Sequence, residues 1–189
     1  MARYKIAWLP GDGIGIEVLD AAKLVLQKMA FDAEYIHGDI GWEFWRTEGE
    51  SFPQRTIDLL EASDAALFGA ITSKPARDAE AELIPALQGK GLTYRSPIVR
   101  MRQRFDLFTC LRPCKAYPGN PLNYKEGIDL VIFRENTEGL YAGVEFSPVP
   151  DELKAALVKL SKPFAHFADI PGDEFAITCK VNTQKGCER

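Results

Sequence analysis

Imidazole is nearly missing from this 189-residue chain: His37 and His166 are its only two histidines, and neither stands at zinc-ligand spacing from a cysteine. The four cysteines, Cys110, Cys114, Cys179 and Cys187, form no C-x-x-C pair, so neither a zinc knuckle nor a disulfide framework is indicated. All four are expected as reduced thiols or packing residues. No apolar run approaches the roughly 20 residues that a bilayer-spanning helix needs. Met1-Ala2-Arg3-Tyr4-Lys5 leads into a short strand-like segment instead of a signal-peptide core, which makes the cytosol the expected compartment, with no membrane partner. Positive charge is not in excess either. With 23 Lys and Arg against 27 Asp and Glu, and no basic stripe interleaved with aromatics, nucleic acid is not an expected partner.

What is present is an ordinary globular balance, 46% hydrophobic and 26% charged, enough to bury one good core or two small ones and too apolar for a disordered tail. Residues 4–9 read as a strand, 11–15 as a loop, and 17–29 as an amphipathic helix with Val18, Ala21, Val25 and Met29 at helical spacing. Residues 31–37 are a second strand candidate and 53–62 a second helix. Residues 65–68 form a short apolar strand that runs into Gly69-Ala70-Ile71-Thr72-Ser73. Strands alternating with helices predict an α/β class with a largely parallel sheet.

From 74 to 94, Pro75, Pro85, Gly89 and Gly91 interrupt any long element, and a loop of that length usually serves a site or moves. Asp78, Glu80 and Glu82 within it read as a solvated acidic run. Ser96 as N-cap with Pro97 at the first helical position starts a basic helix through about Arg104. Residues 107–111 and 129–133 read as strands, the second almost wholly apolar and therefore expected to be buried on both faces. Residues 144–146 are strand-like, 151–160 a helix with Asp151 as its expected cap, and 175–181 alternate again.

Two motifs invite chemistry. Gly11-Asp12-Gly13-Ile14-Gly15 follows a strand and precedes a helix, but G-x-G-x-G lacks the later glycine of a dinucleotide fingerprint, so a tight turn is the plainer reading. Arg102, Arg112 and Arg134 each stand beside a strand-like apolar run. Guanidinium groups capture carboxylates bidentately, so together they suggest a pocket for a small polycarboxylic acid, although any one alone would be an ordinary solvated side chain.

The words around those arginines are specific. Ser96-Pro97-Ile98-Val99-Arg100-Met101-Arg102, Asp106-Leu107-Phe108-Thr109-Cys110-Leu111-Arg112-Pro113, and Arg134-Glu135-Asn136-Thr137-Glu138-Gly139-Leu140-Tyr141 follow Leu9-Pro10-Gly11-Asp12-Gly13-Ile14-Gly15 in order. They closely resemble the β-decarboxylating dehydrogenases, the family of isocitrate, isopropylmalate and homoisocitrate dehydrogenases. The resemblance implies an α/β fold of the isocitrate/isopropylmalate dehydrogenase type. It also implies a metal-dependent NAD(P) oxidoreductase that oxidises a 2-hydroxy acid and decarboxylates the product, with isocitrate ahead of homoisocitrate and isopropylmalate.

On that resemblance Arg102, Arg112 and Arg134 hold carboxylates, and Tyr141 is the general acid. A phenol with a pKa near 10 can donate its proton at neutral pH to the enolate left by loss of CO₂. Ser96 matches the serine that hydrogen-bonds the distinguishing carboxylate of isocitrate-type members, at a helix N-terminus that favours an anion. Ile98 departs from the asparagine seen in many isocitrate enzymes. Thr72 and Ser73 stand where the family contacts the nicotinamide of NAD or NADP, and they read equally well as loop caps. Lys180-Val181-Asn182 looks like the family's catalytic lysine and asparagine, but it lies too close to Tyr141. Residues 177–189 better resemble the strand and helix start that precede that lysine, so Lys180 is assigned no catalytic role.

The same resemblance divides the chain into residues 1–107 (N-terminal part of a large α/β domain), 108–138 (start of a small domain), 139–182 (a dimerisation arm) and 183–189 (start of a small-domain helix). The catalytic lysine, the ligands of Mg or Mn, and the adenosine-binding segment are expected beyond it, so no metal ligand is assigned here. The metal's task would be to polarise the ketone and stabilise the enolate. The arm, together with apolar sheet surface left uncovered, predicts a homodimer or higher oligomer and an isolated chain that is inactive. The alternative is a non-catalytic, regulatory-type subunit that binds citrate-like acids and pairs with a complete catalytic chain.

Overall fold

Short apolar strands joined by helices pair in parallel here, as the alternation predicts. β1 (Tyr4–Gly11), β2 (Ala33–His37) and β3 (Ala65–Ala70) lie in the order β2-β1-β3, with both pairings parallel. Helix α1 (Ile14–Lys28) carries the crossover from β1 to β2, and α2 (Trp42–Glu48) and α3 (Gln54–Glu61) lie between β2 and β3. The computed structural model describes residues 2–74 and 76–189, with residues 76 and 77 by their backbone alone, so Met1 and Pro75 lie outside the described residues. It divides into two compact units, Met1–Met101 and Arg102–Arg189.

The glycine-rich turn is a packing device. Gly11 (φ 76°) and Gly13 (φ 57°) take backbone conformations that an L side chain resists. Gly15 lets α1 approach so closely that a methyl group there would stand 2.2 Å from the Pro10 carbonyl oxygen. The helix begins at Ile14, earlier than its periodicity predicts, and a different face is packed. Gly15 and Leu19 are buried, with Ala22 and Leu26 half-buried, while Val18, Ala21, Val25 and Met29 face outward, Met29 at 67% exposure. Two apolar stripes compete on this helix, and the one containing the small Gly15 wins because it can approach β3.

Helix α2 has no counterpart among the sequence expectations. Trp42 and Trp45, three residues apart, pack with Ala79, Leu83 and Tyr94, the indoles edge-on to the phenol at centroid distances of 4.9 and 5.5 Å. The stretch 76–94 is thereby pinned. It contains α4 (Ala76–Ala79) and a 3₁₀ turn (Glu80–Glu82), and Trp45 Nε1 donates to the Ala79 carbonyl at 2.8 Å. Glu82 is correspondingly no free member of a solvated run: its carboxylate accepts from Trp42 Nε1 at 2.7 Å and from Lys74. Helix α5 (Pro97–Arg104) starts where Ser96 and Pro97 predict, with the Ser96 carbonyl accepting from the Arg100 N–H at 3.1 Å. Glu50 pairs with Arg100, and the buried Ser51 hydroxyl donates to the Arg95 carbonyl at 3.0 Å, which tethers the approach to α5.

In the second unit β4 (Thr109–Lys115) pairs antiparallel with β5 (Asp129–Glu135), and β6 (Gly139–Phe146) pairs antiparallel with β7 (Ile177–Val181). Helix α6 (Asp151–Leu160) separates them in sequence, and α7 (Gln184–Glu188) follows β7. The expected burial of β5 on both faces does not hold. Leu130, Val131, Ile132 and Phe133 are all exposed, Phe133 at 73%, because the ladder has only two strands and nothing described covers it. Asp151 is not the cap of α6 either; Pro150 occupies that place, and Asp151 is the first helical residue, where its charge suits the helix N-terminus. Among the described residues no helix is long and apolar enough to cross a membrane.

Candidate functional site

Strand register decides which arginines share a face. Cys110 lies opposite Arg134 and Arg112 opposite Ile132 across β4 and β5. Opposed residues of an antiparallel pair project to the same side, as do residues two apart, so Arg112, Cys110 and Arg134 occupy one face of this ladder. Arg112 and Arg134 are diagonal neighbours, roughly 7–8 Å apart at the backbone. The Arg112 Nε donates to Cys110 Sγ at 3.4 Å. Among the described residues neither of these arginines has a carboxylate partner, and nor does Arg102, whereas Arg46, Arg55, Arg100 and Arg189 each do. Two uncompensated planar cations on one sheet face suit an acid with more than one carboxylate.

The turn from β5 to β6 is held from within. Glu135 Oε1 accepts from the Thr137 N–H at 2.6 Å, the Glu138 N–H at 2.7 Å and the Thr137 hydroxyl at 2.9 Å. These donors, the Thr137 N–H foremost, hold its carboxyl down to about 2. Buried Asn136 donates from Nδ2 to the Leu107 carbonyl at 3.1 Å. Glu138 closes the far side of the turn. Its carboxylate accepts from the Thr183 hydroxyl at 2.5 Å and the Thr183 N–H at 2.9 Å, and the same two bonds, the hydroxyl first, lower its pKa.

This scaffold sets Arg134 against Tyr141, with the guanidinium carbon 4.7 Å from the ring centroid. A cavity of 510 Å³ opens beside them, walled by Arg134, Glu135, Glu138, Gly139, Leu140, Tyr141, Lys180 and Asn182. Lys180 and Asn182 reach this wall because β7 pairs with β6, Val181 lying opposite Gly139. The alternation of 175–181 made β7 legible, but nothing in it named β6 as the partner.

Thr72, Ser73 and Ser96 belong to the first unit. Thr72 and Ser73 are exposed immediately beyond the carboxyl end of β3, the side of an open parallel sheet on which ligands bind. Asp12, which the sequence reading passed over, fixes that edge. Its Oδ1 accepts from the Thr72 N–H at 2.7 Å and its Oδ2 from the Trp42 N–H at 2.6 Å. Burial pushes the neighbouring Tyr94 phenol up from its ordinary value, with Ser73 opposing. Ser96 is half-buried ahead of the first turn of α5, and Arg102 lies in its last turn. Among the described residues no group of three or more His, Cys, Asp or Glu is placed to hold a metal ion, and Glu135 and Glu138 are already engaged by N–H and hydroxyl donors.

Residues 5–185 match the family model described as isocitrate/isopropylmalate dehydrogenase. Protein DlpA of Legionella pneumophila is 41% identical over 187 residues, which cover 98% of this chain and 29% of that protein. The 3-isopropylmalate dehydrogenase of Methanothermobacter thermautotrophicus is 41% identical over 145 residues, 77% of this chain and 38% of that enzyme. The crystal structure of isocitrate dehydrogenase from Methylococcus capsulatus superposes with a TM-score of 0.70 at 29% identity, covering 98% of this chain and 44% of that one. The chain thus spans less than half the length of each of these three.

Proposed function

We propose, since the chain belongs to the isocitrate/isopropylmalate dehydrogenase family, that it forms the acid-binding part of a dehydrogenase that oxidises a 2-hydroxy acid and decarboxylates the product. The observation that carries this reading is the pair Arg112 and Arg134, on one sheet face without carboxylate partners, with Arg134 lying over Tyr141. Arg102, Arg112 and Arg134 hold the substrate's carboxylates. Tyr141 delivers its phenolic proton to the enolate carbon after CO₂ departs. NAD or NADP supplies the hydride acceptor, with Thr72 and Ser73 as the nicotinamide contacts. The residues described here do not form a metal site, so no step is assigned through Mg or Mn.

Isocitrate is the leading substrate, because Ser96 offers a hydroxyl and a helix N-terminus to an additional carboxylate. Homoisocitrate and isopropylmalate follow, and relatives of this chain carry both the isopropylmalate and the isocitrate name. The division at residues 107, 138 and 182 is kept as part of this reading, with 139–182 as the arm through which a second copy associates. The test is NAD(P) reduction with magnesium and each of the three acids, on the 189-residue chain alone and on the chain extended to the length of its relatives. We expect turnover only from the longer protein. Silence there with all three acids removes the substrate class, and turnover by the chain alone overturns the placement of the missing lysine and metal ligands outside it.

A further inference from the structure

The carboxyl edge of β3 is held by an acid that no described cation neutralises. Asp12 is half-buried, and its two bonds, from the Thr72 N–H at 2.7 Å and the Trp42 N–H at 2.6 Å, come from main-chain groups that carry no net charge. Among the described residues no Lys, Arg or His pairs with it. Lys74 offers no compensation, because it lies 5.4 Å from the centre of the Trp42 ring and is paired with Glu82. The field of Asp12 reaches its surroundings. Burial foremost raises the Tyr94 phenol, Ser73 opposes, and the Asp12 charge adds to the rise. Space for a ligand adjoins this edge: a methyl group built on Gly13 would meet only Thr72 Oγ1, at 4.0 Å, so the side of the glycine-rich turn that faces Thr72 is unfilled. The hydroxyls of Thr72 and Ser73 suit the carboxamide of a nicotinamide, and the gap suits its flat ring.

We infer that Asp12 is a specificity-determining residue for the redox state of the cofactor: its anionic carboxylate, beside Thr72 and Ser73, favours the cationic, oxidised nicotinamide ring over the neutral, reduced one. The inference rests on the function proposed above, which places the nicotinamide at Thr72 and Ser73, and deepens it. Both forms offer those hydroxyls the same carboxamide, and they differ by one positive charge on the ring. A fixed anion separates them wherever the ring lies within the roughly 8–10 Å over which charges are felt at physiological salt. Asp12 touches Thr72, so a group in contact with that residue lies inside this range. The direction suits an oxidation, because the protein then holds the hydride acceptor and releases the reduced product. Asp12 takes no proton and forms no bond to the ring.

Calorimetric titration of the 189-residue chain with oxidised and with reduced nicotinamide mononucleotide, the half that NAD and NADP share, tests this on the wild type and on Asp12→Asn. The phosphate is common to both forms and drops out of their ratio. Asp12→Asn keeps the size and one acceptor oxygen and removes the charge. It should weaken the oxidised form about fivefold, the effect of one unit charge across a wet site, and change the reduced form by less than about twofold. In the wild type the preference for the oxidised form should shrink between about 20 mM and about 500 mM salt, a reading that needs no variant to fold. Equal weakening of both forms by Asp12→Asn would make Asp12 a purely structural hold on Thr72, which overturns the inference and leaves the nicotinamide site standing. A wild type that binds the reduced form as tightly as the oxidised one, or a preference that ignores salt, overturns it as well. Binding of neither form removes Thr72 and Ser73 as nicotinamide contacts, and the inference with them.

Discussion

Adding a methyl group to Gly15 sets two effects of opposite sign against each other. In an exposed helix position alanine is favoured over glycine by about 1 kcal/mol, and Gly15 lies within α1. The new carbon would stand 2.2 Å from the Pro10 oxygen, 2.5 Å from the Ala70 nitrogen and 2.6 Å from the Ala70 oxygen. All three are main-chain atoms of β1 and β3, so no rotamer change can relieve the clash. Restoring an ordinary contact means moving the helix away by about an ångström, which would also strain the Asp12 N–H to Ala70 carbonyl bond of 3.0 Å. Overpacking of this kind costs about 1–3 kcal/mol, toward the upper end where only backbone can yield. The clash should win, leaving Gly15→Ala about 1–2 kcal/mol less stable than the wild type.

Urea unfolding followed by tryptophan fluorescence reads this unit selectively, because all three tryptophans, Trp8, Trp42 and Trp45, lie within it. Ala21→Gly, at an exposed site on the same helix, calibrates the propensity effect alone and should lose about 1 kcal/mol. A Gly15→Ala protein as stable as the wild type, or more stable, would refute the close-approach account of the glycine-rich turn.

Replacing Arg112 by Lys keeps the charge and removes the planar fork. It should weaken substrate recognition in the catalytically competent protein by about 2 kcal/mol or more, read as kcat/KM, with little change in stability. Trp45→Phe strands the Ala79 carbonyl and should cost about 1–3 kcal/mol in a urea midpoint followed by circular dichroism, without altering citrate affinity. Glu135 has a folded-state carboxyl held down to about 2, so its contribution to stability is complete above about 4.5 and is lost as pH falls toward and through 2. Thermal melts from pH 5 to pH 2 should therefore fall more steeply for the wild type than for Glu135→Gln. The difference should be small, since the group is exposed and its shift comes from hydrogen bonds.

Punctuation made parts of the chain legible at residue resolution. The helix expected over 151–160 is α6 at Asp151–Leu160, although Pro150 and not Asp151 is its cap, and Ser96-Pro97 placed the start of α5. The alternation of strand and helix predicted the parallel sheet, and the order of the arginine-bearing words predicted the family. These signals are local: capping, proline geometry and periodicity act within a few residues, so the linear order carries them.

Partnership was not carried that way. The stripe of Val18, Ala21, Val25 and Met29 read from the periodicity of α1 faces outward, because the approach permitted by Gly15 and Gly69 packs the stripe containing Gly15 instead. The apolar run of β5 looked buried, yet burial requires neighbours that the two-stranded ladder does not supply. Asp12 stayed unnoticed because its partner Thr72 is 60 positions away, and Lys180, weighed and set aside on its spacing from Tyr141, reaches the cavity beside that residue only through the pairing of β6 with β7. The sequence by itself determined most of the elements, the family and the residue types of the proposed acid-binding site. Only the tertiary structure decided which faces meet and which charges remain unpaired, because pairing register and close packing depend on contacts between residues far apart in the chain.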